Sequence, residues 1–304
     1  MNARTPIVEL DGIYAKLECV NPTGSIKDRI AEYIVDESER RGLLRPGMTI
    51  VEATSGNTGI ALAKYGREKG YAVVIVMPSN MTEERKDLIR GFGAELILCK
   101  DGDFAEAVSI RDEMAAKPGF FNPDQFSNEL NVECHRTTTG QEILEQVPGP
   151  IDAFVAGVGT GGSLIGVGKA LRERYPLVRI VAVEPEESAV MSGGEPGPHR
   201  IFGIGDGFIP PIAQNGEGAV HDLIDEVERV DSAEAVEAAS ILRARYGLCV
   251  GISSGANFLA AKRQKSGHAA VVTLFADGYV KYRSHGLREA IEPECPHADY
   301  CVKQ

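Results

Sequence analysis

The chain reads as an α/β protein with parallel-rich sheets flanked by helices, and three observations carry that reading. Short β-rich runs alternate with amphipathic helical stretches along most of the chain. The runs are continuously apolar, which suits strands buried on both faces of a parallel sheet. Gly42, Gly70 and Gly247 stand where helices need a C-terminal cap.

Taken in order, residues 27–41 predict a helix, with charged residues on one side and Ile30, Ile34 and Val35 on the other. A strand follows at 49–53, then a helix at 60–69 ending at Gly70. Strands at 72–77 and 95–98 are aliphatic runs, and 104–116 has helical spacing. The second half repeats the pattern: strand 151–156, helix 164–175, strand 179–183, helices 233–246 and 256–264, strand 270–275. There are no internal repeats, low-complexity tracts or long linkers.

With 304 residues, the chain can form two domains or one large one. No apolar run approaches the roughly 18 residues of a membrane span. Residues 1–11 hold Arg4, Pro6 and Glu9 in place of the apolar core of a signal peptide, so a cytoplasmic protein is expected. The net charge of −12 repels nucleic acid and anionic membrane, and neither is expected as a partner. Six cysteines are too few for a disulfide framework in a chain of this length. Cys295, His297 and Cys301 cluster near the end without a fourth ligand, so the expectation is a plain tail or a reversible thiol pair, and no metal.

Ligands of parallel α/β folds bind beyond the carboxyl ends of strands, which directs attention to the loops that follow them. Four segments stand out. In Asn21-Pro-Thr-Gly-Ser-Ile-Lys27-Asp28-Arg29, Ser25 and Asp28 have capping-box spacing and Lys27 falls in the first helical turn. The positive end of a helix disfavours an ammonium, which helps a lysine that must lose its proton to form a Schiff base. A single lysine is more often a solvated surface group. In Val51-Glu-Ala-Thr54-Ser55-Gly56-Asn57-Thr58-Gly59, hydroxyls, an amide and backbone N–H groups converge at a helix start. A plain cap needs one such residue; this many predict an anion site of carboxylate or phosphate size.

The third segment, Gly157-Val-Gly159-Thr160-Gly161-Gly162-Ser163, also joins a strand to a helix and reads as a phosphate cup. Gly157, Gly159 and Gly162 equally match a dinucleotide fingerprint, with Glu184 near the distance of about 20 residues expected of a ribose-binding acid. A nicotinamide-dependent oxidoreductase is therefore an alternative, although it leaves the first two segments unexplained. The fourth, Val250-Gly-Ile-Ser253-Ser254-Gly255-Ala256-Asn257, reads by itself as an N-cap.

Together, in this order, the four segments resemble the cysteine synthase and cystathionine β-synthase family of pyridoxal 5′-phosphate (PLP) enzymes, which has the tryptophan-synthase β-subunit-like fold. The resemblance runs from Thr5-Pro6 to about Phe275. It implies a two-domain fold type II, with residues 1–35 and 131–304 forming a large PLP-binding domain and 36–130 a small mobile one that closes over the cofactor. By the same analogy Lys27 would bear the cofactor and move protons at Cα. Asn57 would bond the 3′-oxygen of PLP and also border the substrate. Thr54, Ser55, Thr58 and Gln125 would hold the substrate carboxylate. Gly159, Thr160, Gly161, Gly162 and Ser163 would hold the phosphate, with Ser163 where threonine is more usual. Ser253 would face the pyridine nitrogen; its neutral hydroxyl favours loss of a β-leaving group over full carbanion delocalisation. The implied reaction is β-elimination or β-replacement on a small amino acid through an α-aminoacrylate, with O-acetylserine or O-phosphoserine plus sulfide giving cysteine. A homodimer and a serine acetyltransferase partner are implied by analogy.

The sequence departs from this family in three places, of which one is the tail, residues 293–304, whose two cysteines are not a family feature. The connection from Thr5-Pro6-Ile-Val to Ala15-Lys-Leu-Glu is short. In Gly203-Ile-Gly205-Asp206-Gly-Phe-Ile-Pro, Asp206 stands where sulfhydrylases usually carry alanine and cystathionine synthases tyrosine. A carboxylate there suits the reverse use, in which cysteine enters, sulfide leaves and water adds to give serine, with Asp206 as the base. A surface turn aspartate would read the same way in sequence.

Overall fold

The computed structural model describes residues 4–285. Cys295, His297 and Cys301 lie outside the described residues. Among these residues ten strands form two sheets. β1 (Ile7–Leu10) and β2 (Ile13–Leu17) pair antiparallel through an Asp11–Gly12 turn in which both residues have positive φ. That Asp-Gly pair is a strong hairpin signal, since its backbone twist matches the strands, and it was not among the expected elements.

α1 (Lys27–Arg40), β3 (Thr49–Ala53), α2 (Asn57–Glu68), β4 (Ala72–Pro78), α3 (Glu83–Gly91), β5 (Glu95–Cys99), α4 (Phe104–Ala115) and β6 (Phe120–Phe121) come next. Their strands form an all-parallel sheet in the order β5-β4-β3-β6. α5 (Glu129–Thr137), α6 (Thr139–Gln146), β7 (Ala153–Gly157), α7 (Gly162–Arg174), β8 (Arg179–Pro185), β9 (Glu226–Val230), α8 (Ser232–Tyr246), α9 (Ile252–Lys265) and β10 (Val271–Phe275) complete the chain. They join the hairpin in a sheet ordered β1-β2-β10-β7-β8-β9, parallel except at β1.

The strand period of two explains the layers. Val155, Val181, Val183 and Val271 face the cluster containing α8 and α9, while Phe154, Ile180, Ala182 and Val272 face the one containing α7. In the smaller sheet Ile50, Val73 and Ile75 pack toward α1 and α2, and Val51, Val74 and Val76 toward α4. Helices on both faces keep the strands apolar throughout, which is why the sequence showed them.

The helix starts differ from expectation in one direction. α2, α7 and α9 begin at Asn57, Gly162 and Ile252, two to four residues before the expected 60, 164 and 256. The polar and glycine residues of the motifs are themselves the first turns, so hydrophobic periodicity sets in only after them. The N-cap of α1 is Ile26, without a side-chain cap, so the expected Ser25 cap is corrected. Ser25 Oγ accepts from the Lys27 N–H at 3.3 Å, and Asp28 reaches back to the backbone of Thr23 at 3.0 Å. Ser253 is likewise not a cap: Gly251 is, and Ser253 lies inside the first turn of α9.

Candidate active site

The carboxyl ends of β3, β7 and β10 open on one pocket between the two sheets. Lys27, Thr54, Ser55, Asn57, Thr58, Gln125, Gly159, Thr160, Ser163, Asp206 and Ser253 all line it. Gly161 and Gly162 do not; they lie behind the wall and shape it. Gly161 caps α7 with φ +86°, and a Cβ on Gly162 would fall 1.9 Å from Asn131 Oδ1.

Lys27 is the first residue of α1, and burial lowers its pKa. The carboxylates of Asp206 and Asp277 oppose that shift. Loss of solvation therefore outweighs the two carboxylates and favours the neutral amine.

The loop after β3 is tied to the segment around Gln125. Thr58 Oγ1 donates to Gln125 Oε1 at 2.6 Å, and the Gly56 N–H donates to Thr54 Oγ1 at 3.1 Å. Thr54, Thr58 and Gln125 are all buried. Asn131 Nδ2 bonds the Gln125 carbonyl at 2.8 Å and Thr160 Oγ1 at 3.0 Å, so it links this loop to the one after β7.

Asp206 sits between three left-handed glycines, Gly203 (φ +89°), Gly205 (+69°) and Gly207 (+85°). The Gly205 N–H donates to the Val158 carbonyl at 3.0 Å. The Ile201 N–H donates to His199 Nδ1 at 3.2 Å, which leaves Nε2 to carry the proton and donate to the Gly205 carbonyl at 2.9 Å. The loop thus holds its aspartate toward the pocket in spite of the residue's exposure. Loss of solvation raises the Asp206 pKa, and Lys27 and His199 oppose the rise; access through the open mouth moderates it.

A Cβ on Gly159 would lie 2.2 Å from the Gly203 carbonyl oxygen, so the β7 loop and the Asp206 loop touch through a glycine. Gly159→Ala is expected to destabilise the protein by about 1–3 kcal/mol, because backbone must move to admit the methyl. Urea unfolding monitored by circular dichroism measures this; an unchanged midpoint would mean the loops part freely.

The motifs missed several wall residues: Arg85, Phe126, Phe202 and Asp277. Asp277 has a visible signal, an acid two residues after the apolar run 270–275, where binding residues of this architecture belong. Arg85, inside a charge-rich helix, has none. Glu184 is buried and accepts from Met191 N at 2.8 Å, Ser192 N at 3.0 Å and Ser192 Oγ at 2.6 Å. That engagement removes the acid a dinucleotide site would need. No cluster of metal-ligating side chains occurs among the described residues.

Comparison with known proteins bears on this pocket. The family model for pyridoxal-phosphate dependent enzymes matches residues 1–277. A cysteine synthase of Staphylococcus aureus is 44% identical over 296 residues, spanning 93% of this chain and 94% of the relative. The crystal structure of a hydrogen sulfide-producing enzyme from Fusobacterium nucleatum is 40% identical with a TM-score of 0.88, covering 96% of this chain and 92% of that one. An aspartate-to-asparagine mutant of that enzyme has been crystallised with an α-aminoacrylate intermediate. An O-acetylserine dependent cystathionine β-synthase from Helicobacter pylori is 36% identical with a TM-score of 0.88, over 94% of this chain and 96% of the other.

Proposed function

We propose a reaction direction from one premise: the chain belongs to the pyridoxal-phosphate dependent enzyme family, in its cysteine synthase branch. It is an enzyme, its cofactor is PLP, and its chemistry is β-elimination and β-replacement on a small amino acid. Within that chemistry, our reading is that it consumes cysteine, releases sulfide and adds water to give serine. The observation that carries this direction is the Asp206 carboxylate in the pocket with Lys27.

The residues present fit the cofactor. Lys27 supplies an amine that burial keeps toward its neutral form. Gly159 to Ser163 form a tight turn in which a Cβ on Gly159 or Gly162 would strike Gly203 or Asn131, at the start of a helix whose N–H groups suit a phosphate. Ser253 lines the wall from the first turn of α9 and suits the pyridine nitrogen. When bound, PLP serves as an electron sink that weakens the Cα–H and Cβ–heteroatom bonds of an amino acid.

The side chains then divide the work. Thr54, Ser55, Thr58 and Gln125 hold the substrate carboxylate and orient Cα toward Lys27, while Asn57 borders the substrate and would bond the cofactor's ring oxygen. The neutral Lys27 Nζ takes the Cα proton and later returns it. Protonated Asp206 gives its proton to sulfur as the Cβ–S bond breaks. The resulting carboxylate takes a proton from water as the Cβ–O bond forms, so one molecule each of cysteine and water yields one of serine and one of hydrogen sulfide. The unit of residues 36–130, which carries the smaller sheet, closes over the pocket and limits water to the one that reacts. The fold carries no helix long and apolar enough to cross a membrane among the described residues. We read the protein as a homodimer by family analogy.

Removing the hydroxyl or amide of Thr54, Thr58 or Gln125 is expected to weaken amino-acid binding by about 1.5–3 kcal/mol each, the worth of a hydrogen bond to a charged group, with PLP retained. Spectral titration with cysteine measures it. Unchanged affinity in all three variants would move the substrate site elsewhere.

A second reading, synthesis of cysteine from O-acetylserine or O-phosphoserine and sulfide, is favoured by the 44% identity to a cysteine synthase. Assaying the purified enzyme with cysteine, O-acetylserine and O-phosphoserine, with sulfide and amino-acid products quantified, decides between them. Faster serine and sulfide formation from cysteine supports the first; faster cysteine formation supports the second.

A further inference from the structure

Asp277 belongs to none of the four sequence segments, yet it lines the pocket just after β10 and is 1% exposed. Its Oδ2 accepts two hydrogen bonds, from Asn57 Nδ2 at 2.8 Å and from the Tyr282 hydroxyl at 2.6 Å. Its Oδ1 has no hydrogen-bond partner among the described residues and rests against Gly251, where a Cβ would come within 2.0 Å of it. A buried carboxylate held this way is costly unless its bonds serve a purpose.

The bonds join two parts of the molecule. Asn57 opens α2 of the smaller sheet, whereas Asp277 and Tyr282 follow β10 of the larger one. Arg85, from α3 of the smaller sheet, lies with its guanidinium 5.1 Å from the Tyr282 ring and 5.5 Å from that of Phe202. Two elements of the smaller sheet therefore meet the Asp277–Tyr282 pair at the pocket wall.

The chemistry of an amide gives this chain of bonds its consequence. An asparagine presents a donor at one end and an acceptor at the other, and nothing in its shape tells them apart. A carboxylate accepts only. Asp277 therefore fixes the Asn57 Nδ2 end toward itself and leaves the second hydrogen of that nitrogen for another acceptor. With Asp277 neutral or absent, the amide can turn and present its carbonyl instead.

We propose that Asp277 is a positioning residue: through the Asn57–Asp277–Tyr282 hydrogen bonds it sets which end of the Asn57 amide faces the cofactor's ring oxygen. This rests on the reading that Asn57 contacts that oxygen.

The test is a double-mutant cycle on the full-chain holoenzyme. Two quantities are read for wild type, Asn57→Ala, Asp277→Asn and the double variant. One is the rate at which PLP leaves the protein on dilution into excess scavenging apo-protein. The other is the pH titration of the visible band. Asn57→Ala and Asp277→Asn are each expected to speed release about tenfold, the effect of losing one hydrogen bond of this kind, and the double variant no more than Asn57→Ala alone. Tyr282→Phe, a milder change that leaves the carboxylate in place, is expected to speed release by a smaller factor that vanishes in the Asn57→Ala background. Effects that multiply in the double variant, or an Asp277→Asn protein identical to wild type beside a weakened Asn57→Ala, would overturn the role of Asp277 while keeping that of Asn57. An Asn57→Ala protein with unchanged release and titration would overturn both.

Discussion

Lys27→Ala protein is expected to lack the visible absorbance of lysine-bound cofactor and to lose turnover by more than about 10³-fold. Two functions disappear with one side chain. The first is the covalent anchor that sets the cofactor in the pocket. The second is proton transfer at Cα, which a positioned group accelerates by roughly 10²–10⁴-fold. Among the described residues no other lysine lines the pocket; the buried Lys281 bonds the Gly24 carbonyl at 3.1 Å. Burial also pushes the Lys281 pKa down to about 8, so a lowered pKa alone does not single out Lys27. Position does: Lys27 opens α1 at the carboxyl ends of the strands. Borohydride reduction followed by peptide mapping is the direct check. Label on Lys281 or any other lysine would refute the assignment of Lys27.

What could be read from the sequence follows from what was local. The strands β3, β4, β7, β8 and β10 are buried on both faces, so their apolar runs announce them. β9, with Glu226, Glu228 and Arg229, lies at a sheet edge and is only half buried, so its alternation is weak. β6 is two residues long, too short to carry a pattern. α3 escaped because six of its nine residues, Glu83-Glu-Arg-Lys-Asp and Arg90, are charged. Yet Arg85 and Lys86 are buried. The tail of Arg85 packs over Gly56, a contact that no spacing along the chain encodes. The Asn57–Asp277 bond joins residues 220 positions apart, and the motifs name only its Asn57 end. The four glycine- and hydroxyl-rich segments were legible because an anion site at a helix start is built from consecutive residues. Asp206 fell between these cases. Its residue type was visible, but its direction depends on the positive φ of Gly203, Gly205 and Gly207 and on the His199 contact.

Asp206→Ala is expected to lower serine formation from cysteine by about 10²-fold or more while leaving PLP bound and the substrate carboxylate site intact. Hydrosulfide arrives at Cβ already nucleophilic near neutral pH, whereas water needs a base within hydrogen-bond reach. An alanine cannot act as that base. Nor can it protonate departing sulfur, a task favoured by the upward shift that loss of solvation at the pocket gives the Asp206 pKa. The pH dependence follows with a definite sign. The form needed as sulfur leaves is the protonated one, so wild-type turnover of cysteine falls as pH rises through the raised Asp206 pKa, and this limb is absent from the residual activity of the variant. A carboxylate at this position also repels hydrosulfide, so removing it is expected to raise the rate of cysteine synthesis from O-acetylserine. Opposite changes in the two rates distinguish a chemical role from general damage, which would lower both. Both rates and their pH profiles are therefore measured on wild type and variant. Serine formation that survives the substitution, or a wild-type enzyme that makes cysteine far faster than it degrades it, would return the protein to ordinary cysteine synthesis, with Asp206 a loop residue at the pocket mouth.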